Sequence, residues 1–407
     1  MRVTAETAKR VARECGFELA GVAPADPPED FWRYESWVAQ GFAGEMRYLT
    51  DRRAEVRRDV RALLPNARAV ICVGKLYNQA LKDAKKGTDR SVRNWASSGI
   101  QSIPCGDTEV SPLFPAEPGQ AIISRYAWGA DYHDVVRAGL ERMAKRLGEI
   151  AGAEGDGFDY KICVDTAPIL ERTFARLAGL GWIGKNTCLI NEPLGSWFFL
   201  GEMVTSLEIA ADGPPPDRCG TCSRCIEACP TDAFVPASAA HGAAPQNTWA
   251  IDSARCIAYF TIELRGAIPE EYRAGMGQHV FGCDICQDVC PWNSRAPMTD
   301  AFEAEHAAPS LEECARLTEP EFRAMFRDSP MTRARHAGFL RNVAVAMGNS
   351  GRAGGEREQF REPLERLAEH ADSMVAEHAR WALEQLDHER KKHVGQSAQL
   401  GSGLAAC

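Results

Sequence analysis

Seven of the fifteen cysteines form two runs, and an eighth lies between them. The first run is Cys219-Gly-Thr-Cys222-Ser-Arg-Cys225-Ile-Glu-Ala-Cys229-Pro230, and the second is Cys283-Asp-Ile-Cys286-Gln-Asp-Val-Cys290-Pro291, with Cys256 between them. Two-residue gaps let consecutive sulfurs converge on one centre, and the proline after the last thiol turns the chain away. C-x2-C-x2-C-x3-C-P is the bacterial ferredoxin spacing, in which three thiolates cap one 4Fe–4S cube and the fourth reaches a second. Zinc also takes C-x2-C pairs, but it needs four ligands from two pairs, and here one run alone supplies four. The pattern predicts two 4Fe–4S clusters and one-electron chemistry.

Other residue types could move protons or hold a ligand. Asp165 follows the apolar run Ile162-Cys-Val164. At a strand end in poorly solvated surroundings its carboxyl would stay protonated and serve as a general acid. Its position also suits a cap on the helix that begins near Pro168, and the residues alone leave both readings open. Asp131-Tyr-His133-Asp-Val-Val136 approaches a D-x-H-x-x-G cobalt-ligating pattern but lacks the glycine. His133 is therefore expected beside a cofactor or substrate rather than on a metal. Lys185 and Asn186 follow Gly181-Trp-Ile-Gly184, where small residues would let backbone approach a flat ligand; an ordinary surface turn is the competing reading. Glu171 and Arg172 read as solvated helix residues. Arg333, Arg335, His336 and Arg341, with Arg295 nearby, form a basic group that is either a phosphate site or a solvated face.

The elements that must position these residues follow from periodicity. A helix is expected from Ala5 to Cys15, then strands over 18–23 and 68–73. Val135, Leu140, Met143 and Leu147 lie at helical spacing over 134–147. A strand at 160–164, a helix at 169–177 and a strand at 197–207 complete an alternating half. Residues 82–120 read as a long exposed loop, and Pro236 to Gln246 as an insertion. The Pro-rich joint Gly213-Pro-Pro-Pro216 opens the cysteine module. Beyond it, Arg341–Met347 and Pro363–Leu386 read as paired amphipathic helices, and the chain after about 391 as a disordered tail.

A chain of 407 residues accommodates two or three domains. No stretch approaches the roughly 20 apolar residues of a membrane span. The amphipathic N-terminus has no secretory core, and cluster-type thiols suit the reducing cytoplasm. A formal net charge of −9 excludes bulk coating of nucleic acid but not a local basic patch.

Several phrases then coincide: Tyr126-Ala-Trp-Gly-Ala-Asp-Tyr-His133, Val164-Asp-Thr-Ala-Pro168, Ala178-Gly-Leu-Gly-Trp-Ile-Gly-Lys-Asn186, Asp252-Ser-Ala-Arg-Cys-Ile257 with Thr261-Ile-Glu263, and Phe281-Gly-Cys-Asp-Ile-Cys-Gln287. Around the two cysteine runs, over residues 1–390, they make the chain resemble epoxyqueuosine reductases, which complete queuosine synthesis at the tRNA wobble position. The resemblance implies an α+β fold with a nitroreductase-like α/β cobalamin-binding domain over 1–212. It also implies a ferredoxin-like two-cluster module over 213–298 and HEAT-like helical repeats holding tRNA over 299–390. By position it implies Asp165 as the catalytic acid, with cobalamin contacts at Arg57, Asn186, Leu189, Leu200 and Asp284. His133 and Asp165 are expected to face the same cofactor. Ser124, also in the expected contact set, stands where some relatives carry cysteine. The implied cluster ligands are Cys219, Cys222, Cys225 and Cys290 on one cube, and Cys229, Cys256, Cys283 and Cys286 on the other. Arg333, Arg335 and Arg341 would meet the anticodon stem-loop of tRNA, an external low-potential donor would supply electrons, and a monomer is expected.

The reaction implied consumes two electrons and two protons. Side chains supply no electrons, so cofactors must. A reductive dehalogenase would share the domain plan, but Arg10-Val-Ala-Arg13 is no twin-Arg signal and solenoid helices would have no purpose there. A simple electron carrier would not need the large upstream domain.

Overall fold

The computed structural model describes residues 3–79, 118–152, 157–237, 248–350 and 358–402, with side chains described to 388. The expected loop at 82–120 and insertion at 236–246 therefore lie outside the described residues, apart from 118–120 and 236–237. The chain divides into two compact units, one of Met1–Leu113, Trp128–Ala254 and Asp284–Glu305, the other of Phe114–Ala127, Arg255–Cys283 and His306–Cys407. These units cut across the three consecutive stretches expected from sequence order.

The first unit is built on a four-stranded antiparallel sheet. Helix α1 (Ala5–Glu14) starts where the Thr4 hydroxyl accepts the Thr7 N–H at 3.2 Å, and it buries Ala8, Val11 and Ala12 along one stripe. Strands β1 (Leu19–Pro24) and β2 (Ala69–Leu76) pair with Leu19 opposite Gly74. Helix α2 (Tyr132–Gly152) leads to the edge strand β3 (Tyr160–Cys163), then helix α3 (Glu171–Leu177) and the central strand β4 (Phe198–Thr205). The order is β1-β2-β4-β3, with Cys72 and Cys163 flanking Glu202 of β4. An all-antiparallel sheet between helices fixes the class as α+β.

Alternation along β4 assigns its two faces. Gly201 meets α2, and a Cβ there would stand 2.6 Å from Val136 Cγ1. Phe198, Leu200 and Val204 face the other way, into an apolar layer with Val70, Cys72, Cys163, Phe174, Ala175 and Leu189. Glu202 shares that parity.

In the second unit, strand Ile122–Ile123 pairs in parallel with His279–Phe281. Helix α4 (Ile257–Ile262) precedes α5 (Arg335–Asn349), α6 (Arg361–Ala368) and α7 (Ser373–Ser402). The sequence predicts an amphipathic helix at 341–347, but α5 is buried from Gly338 to Asn349 on all sides. Its polar residues are spent on backbone: Asn342 Nδ2 donates to Thr261 O and Val280 O, each at 2.9 Å, and Asn349 Nδ2 to Arg273 O at 2.7 Å. Helix α7 runs past residue 391, where a disordered tail is expected.

Candidate active site

β3 ends at Cys163, and two residues later the backbone makes a three-residue turn centred on Asp165. Thr166 N–H donates to Val164 O at 2.5 Å, and Asp165 takes φ +50°. Aspartate tolerates this left-handed conformation better than most residues, and such turns cost about 1–3 kcal/mol. Glu171 secures it: its Oε1 accepts the Asp165 N–H at 2.6 Å. Asp165 does not cap α3, whose N-cap is Leu170 with no side-chain bond. That reading is overturned.

The Asp165 carboxyl meets His133, with Oδ2 3.3 Å from Nε2. On the other ring edge, His133 Nδ1 lies 2.6 Å from Asp131 Oδ1, which also accepts the His133 backbone N–H at 2.9 Å. The Asp131 bond first, and the Asp165 bond next, raise His133 to about 9, so it is an imidazolium at neutral pH. Burial would raise Asp131, but its bonds with His133 win and hold it below the usual carboxylate range. With both nitrogens engaged, His133 is not disposed to ligate a metal, as its sequence context suggests.

The structure corrects the expected setting of Asp165. Its side chain is 38% exposed, not desolvated. The desolvated carboxyls stand behind it. Glu171, expected to be a solvated helix residue, is half-buried, and burial followed by the like charge of Asp165 pushes it up to about 7. Arg172 is not simply solvated either: its Nη1 donates to Thr187 O at 2.5 Å. Glu202, not among the expected site residues, is 0% exposed. An acid inside the apolar run Trp197-Phe-Phe-Leu-Gly-Glu-Met-Val204 was its signal.

A second constellation gathers cluster thiols. Strands Trp182–Ile183 and Leu189–Ile190 form a hairpin with Trp182 opposite Ile190. Trp182, Ile190 and Trp292 pack with Cys219 and Cys290. Lys185 and Asn186 at the hairpin turn are not surface residues. Lys185 Nζ donates to Gly220 O at 2.8 Å and Cys222 O at 2.9 Å, clamping the first cysteine loop. Asn186 Nδ2 donates to Cys286 O at 3.3 Å, and its Oδ1 accepts the Cys188 N–H at 3.2 Å. Burial pushes Cys225 up to about 11 and Cys290 up to about 12, so these thiols ionise only against a strong cation. That donor set fits iron. Cys188, outside both runs, bonds with Cys286, which holds its thiol below the ordinary value.

The remaining expected contacts fall in different places. Leu189 is buried in the apolar layer, and half-buried Leu200 packs against it. Asp284, 9% exposed, begins the short helix Ile285–Asp288. Arg57 is buried, donating to Tyr48 O at 3.2 Å with its guanidinium over the Tyr34 ring. Ser124 belongs to the second unit, buried against Gly282, where a Cβ would stand 2.5 Å from its own. Cys229 and Cys286 belong to the first unit, Cys256 and Cys283 to the second.

The basic group of the second unit does not act as one patch. Arg341 is 1% exposed, and its guanidinium donates to Leu264 O at 3.0 Å, to Gly266 O at 2.6 Å and to Phe260 O. It therefore ties the end of α4 and the chain after it to α5, and, being buried, it does not meet phosphate as expected. Arg333 pairs with Glu263 at 2.7 Å, and Arg335 is exposed at φ +59°.

Residues 57–166 match the family model described as epoxyqueuosine reductase QueG, DUF1730, and residues 218–293 that of a 4Fe-4S double cluster binding domain. An epoxyqueuosine reductase of Xanthomonas campestris pv. campestris is 38% identical over 381 residues, covering 93% of this chain and 94% of that protein. A crystal structure of epoxyqueuosine reductase with a tRNA-Tyr epoxyqueuosine-modified stem loop shares the fold at TM-score 0.73 and 23% identity, over 93% of this chain and 89% of the other. An epoxyqueuosine reductase from Bacillus subtilis, solved with an aspartate catalytic loop swung out of its active site, aligns at TM-score 0.71 and 24% identity, over the same shares.

Proposed function

Because the chain belongs to the epoxyqueuosine reductase family, we propose that it reduces epoxyqueuosine to queuosine at the wobble position of tRNA. The reaction breaks both C–O bonds of the epoxide, forms a C=C bond and releases the oxygen as water. It consumes two electrons and two protons. The observation that carries this reading is the Asp165 carboxyl, held in a strained turn 3.3 Å from the His133 imidazole.

Asp165 donates the proton that the departing oxygen needs as it gains negative charge. His133, an imidazolium at neutral pH, lies within reach to hand Asp165 that proton, and Asp131 fixes its ring. The strain in the Asp165 turn, offset by Glu171, holds the carboxyl outward, where a base drawn from its stack can reach it.

Electrons require cofactors. Cys219, Cys222, Cys225 and Cys290 would hold one 4Fe–4S cluster, and Cys229, Cys256, Cys283 and Cys286 the other, fed by an external low-potential donor. Half-buried Leu200 offers apolar surface in the unit that carries Asp165, with buried Leu189 in the layer behind it, a lining that suits a flat corrin ring. Arg57, Ser124, Asn186 and Asp284 would complete the cobalamin contacts, beside His133 and Asp165. Cobalamin, when bound, would supply strongly reducing electrons for the epoxide. Helices α5 to α7 are read as HEAT-like repeats that help hold the anticodon stem-loop, with Arg333 and Arg335 toward phosphate.

Anaerobic reconstitution tests this. The chain should take up about eight irons, retain cobalamin, and convert epoxyqueuosine-tRNA when given a strong reductant. A fully loaded protein that leaves the epoxide intact would overturn the assignment.

A further inference from the structure

Glu202 sits at the centre of β4 with Cys72 on one side and Cys163 on the other, and its exposure is 0%. Neither carboxyl oxygen has a partner at hydrogen-bond geometry among the described residues, although the Glu171 carboxyl is near enough to act on it. An acid in an apolar layer weakens the fold unless it stays neutral. Any aliphatic residue would fill this position better. The same face leads through Glu171, which grips the Asp165 backbone at 2.6 Å, to the candidate acid itself.

The geometry points to a proton store behind the acid: we propose that Glu202 and Glu171 share a buried proton and return it to Asp165 between the two protonations of the leaving oxygen. This deepens the proposed reduction and rests on it. The first proton, handed to Asp165 by the His133 imidazolium, passes to the oxygen as one C–O bond breaks. The stored proton then recharges Asp165, which delivers the second as the other C–O bond breaks and water departs. Two electrons enter from the external donor, so the balance closes on alkene and water. Glu171 and Glu202 act through Asp165 and are positioning residues.

The charges around the pair favour a retained proton. Facing Glu202 are Cys72 of β2, Cys163 of β3, Glu171 of α3 and Asp165 of the turn; His133 and Arg172 act on Glu171. Burial, then the charges of Glu171 and Asp165, drive the Glu202 carboxyl well above its ordinary value. Burial pushes Cys163 up to about 12 and Cys72 well above its usual range, so neither thiol competes for ionisation. A carboxyl whose pKa rises on folding binds its proton more tightly in the native state, and that preference is lost as pH rises through the native value.

Glu202→Gln tests the store, because an amide matches the shape and cannot carry the exchangeable acid proton. Infrared spectra of the wild-type holoenzyme near pH 7 should show the carbonyl stretch of a protonated carboxyl, sensitive to D2O and absent from the variant. The variant should keep its iron and its KM for tRNA, lose at least about tenfold in kcat, and lose the fall in rate that accompanies deprotonation above neutrality. Glu171→Gln should give the same split. A wild-type spectrum with no protonated carboxyl, or variants with wild-type kcat and pH profile, would overturn the proposal. The spectrum needs no turnover, so a wild type that shows the band yet leaves the epoxide intact sinks the assigned reaction and not the store.

Discussion

At the residue scale, the site turns on which carboxyl holds a proton and where it points. Asp165→Asn preserves size and the turn but removes the acid. It should keep iron and cobalamin and lose about 100-fold or more in kcat; undiminished turnover would return Asp165 to a structural role. His133 makes a separate prediction. Its pKa rises from 6.5 to about 9 on folding, so the stability gained from Asp131 and Asp165 is complete below about 6.5. That stability is lost as pH climbs through about 9, and kcat should fall over the same range. An NMR titration that finds His133 near 6.5 would contradict both statements. Asp165 and His133 were legible from their phrases. Their pairing was not, since 32 residues separate them and only the sheet brings β3 to the start of α2.

At the element scale, periodicity located most helices and strands of the first unit, because each amphipathic stripe is a local property. The hairpin Trp182–Ile190 shows what locality cannot supply. Its glycines suggested a surface turn or a ligand approach, yet the hairpin clamps two cysteine loops through Lys185 and Asn186. Gly181 packs tightly against the second strand of the hairpin, where a Cβ would stand 2.2 Å from Ile190 O. Backbone cannot yield as a flexible side chain can. Gly181→Ala should therefore cost about 1–3 kcal/mol in denaturant unfolding and lower the iron retained per chain. Normal iron content with unchanged stability would show that the hairpin does not support the thiols. Helix α5 carries the same lesson. Arg341 looked like part of a basic face, but its partners, the carbonyls of Phe260, Leu264 and Gly266, come from a segment about eighty residues earlier.

At the scale of the whole molecule, a chain of net charge −9 must meet a polyanion through few cations. With Arg341 buried, Arg333 and Arg335 remain the candidates in α5 and the turn before it. Arg333→Glu combined with Arg335→Glu should weaken tRNA binding and lower the salt slope by about 1 for each phosphate that the variant no longer neutralises. Unchanged affinity and slope would leave them as ordinary surface. No helix among the described residues is long and apolar enough to cross a membrane. The amino-acid sequence by itself determined the chemistry available to this protein. Thiol spacing is a local code for iron–sulfur binding, because ligand reach depends on neighbouring residues, and the Val164-Asp-Thr-Ala-Pro168 phrase marks a candidate acid through the family resemblance. Tertiary structure alone decided which groups are charged. A carboxyl is neutral or ionised according to what surrounds it in space, and only the antiparallel register sets Glu202 between Cys72 and Cys163 and aligns Glu171 behind Asp165.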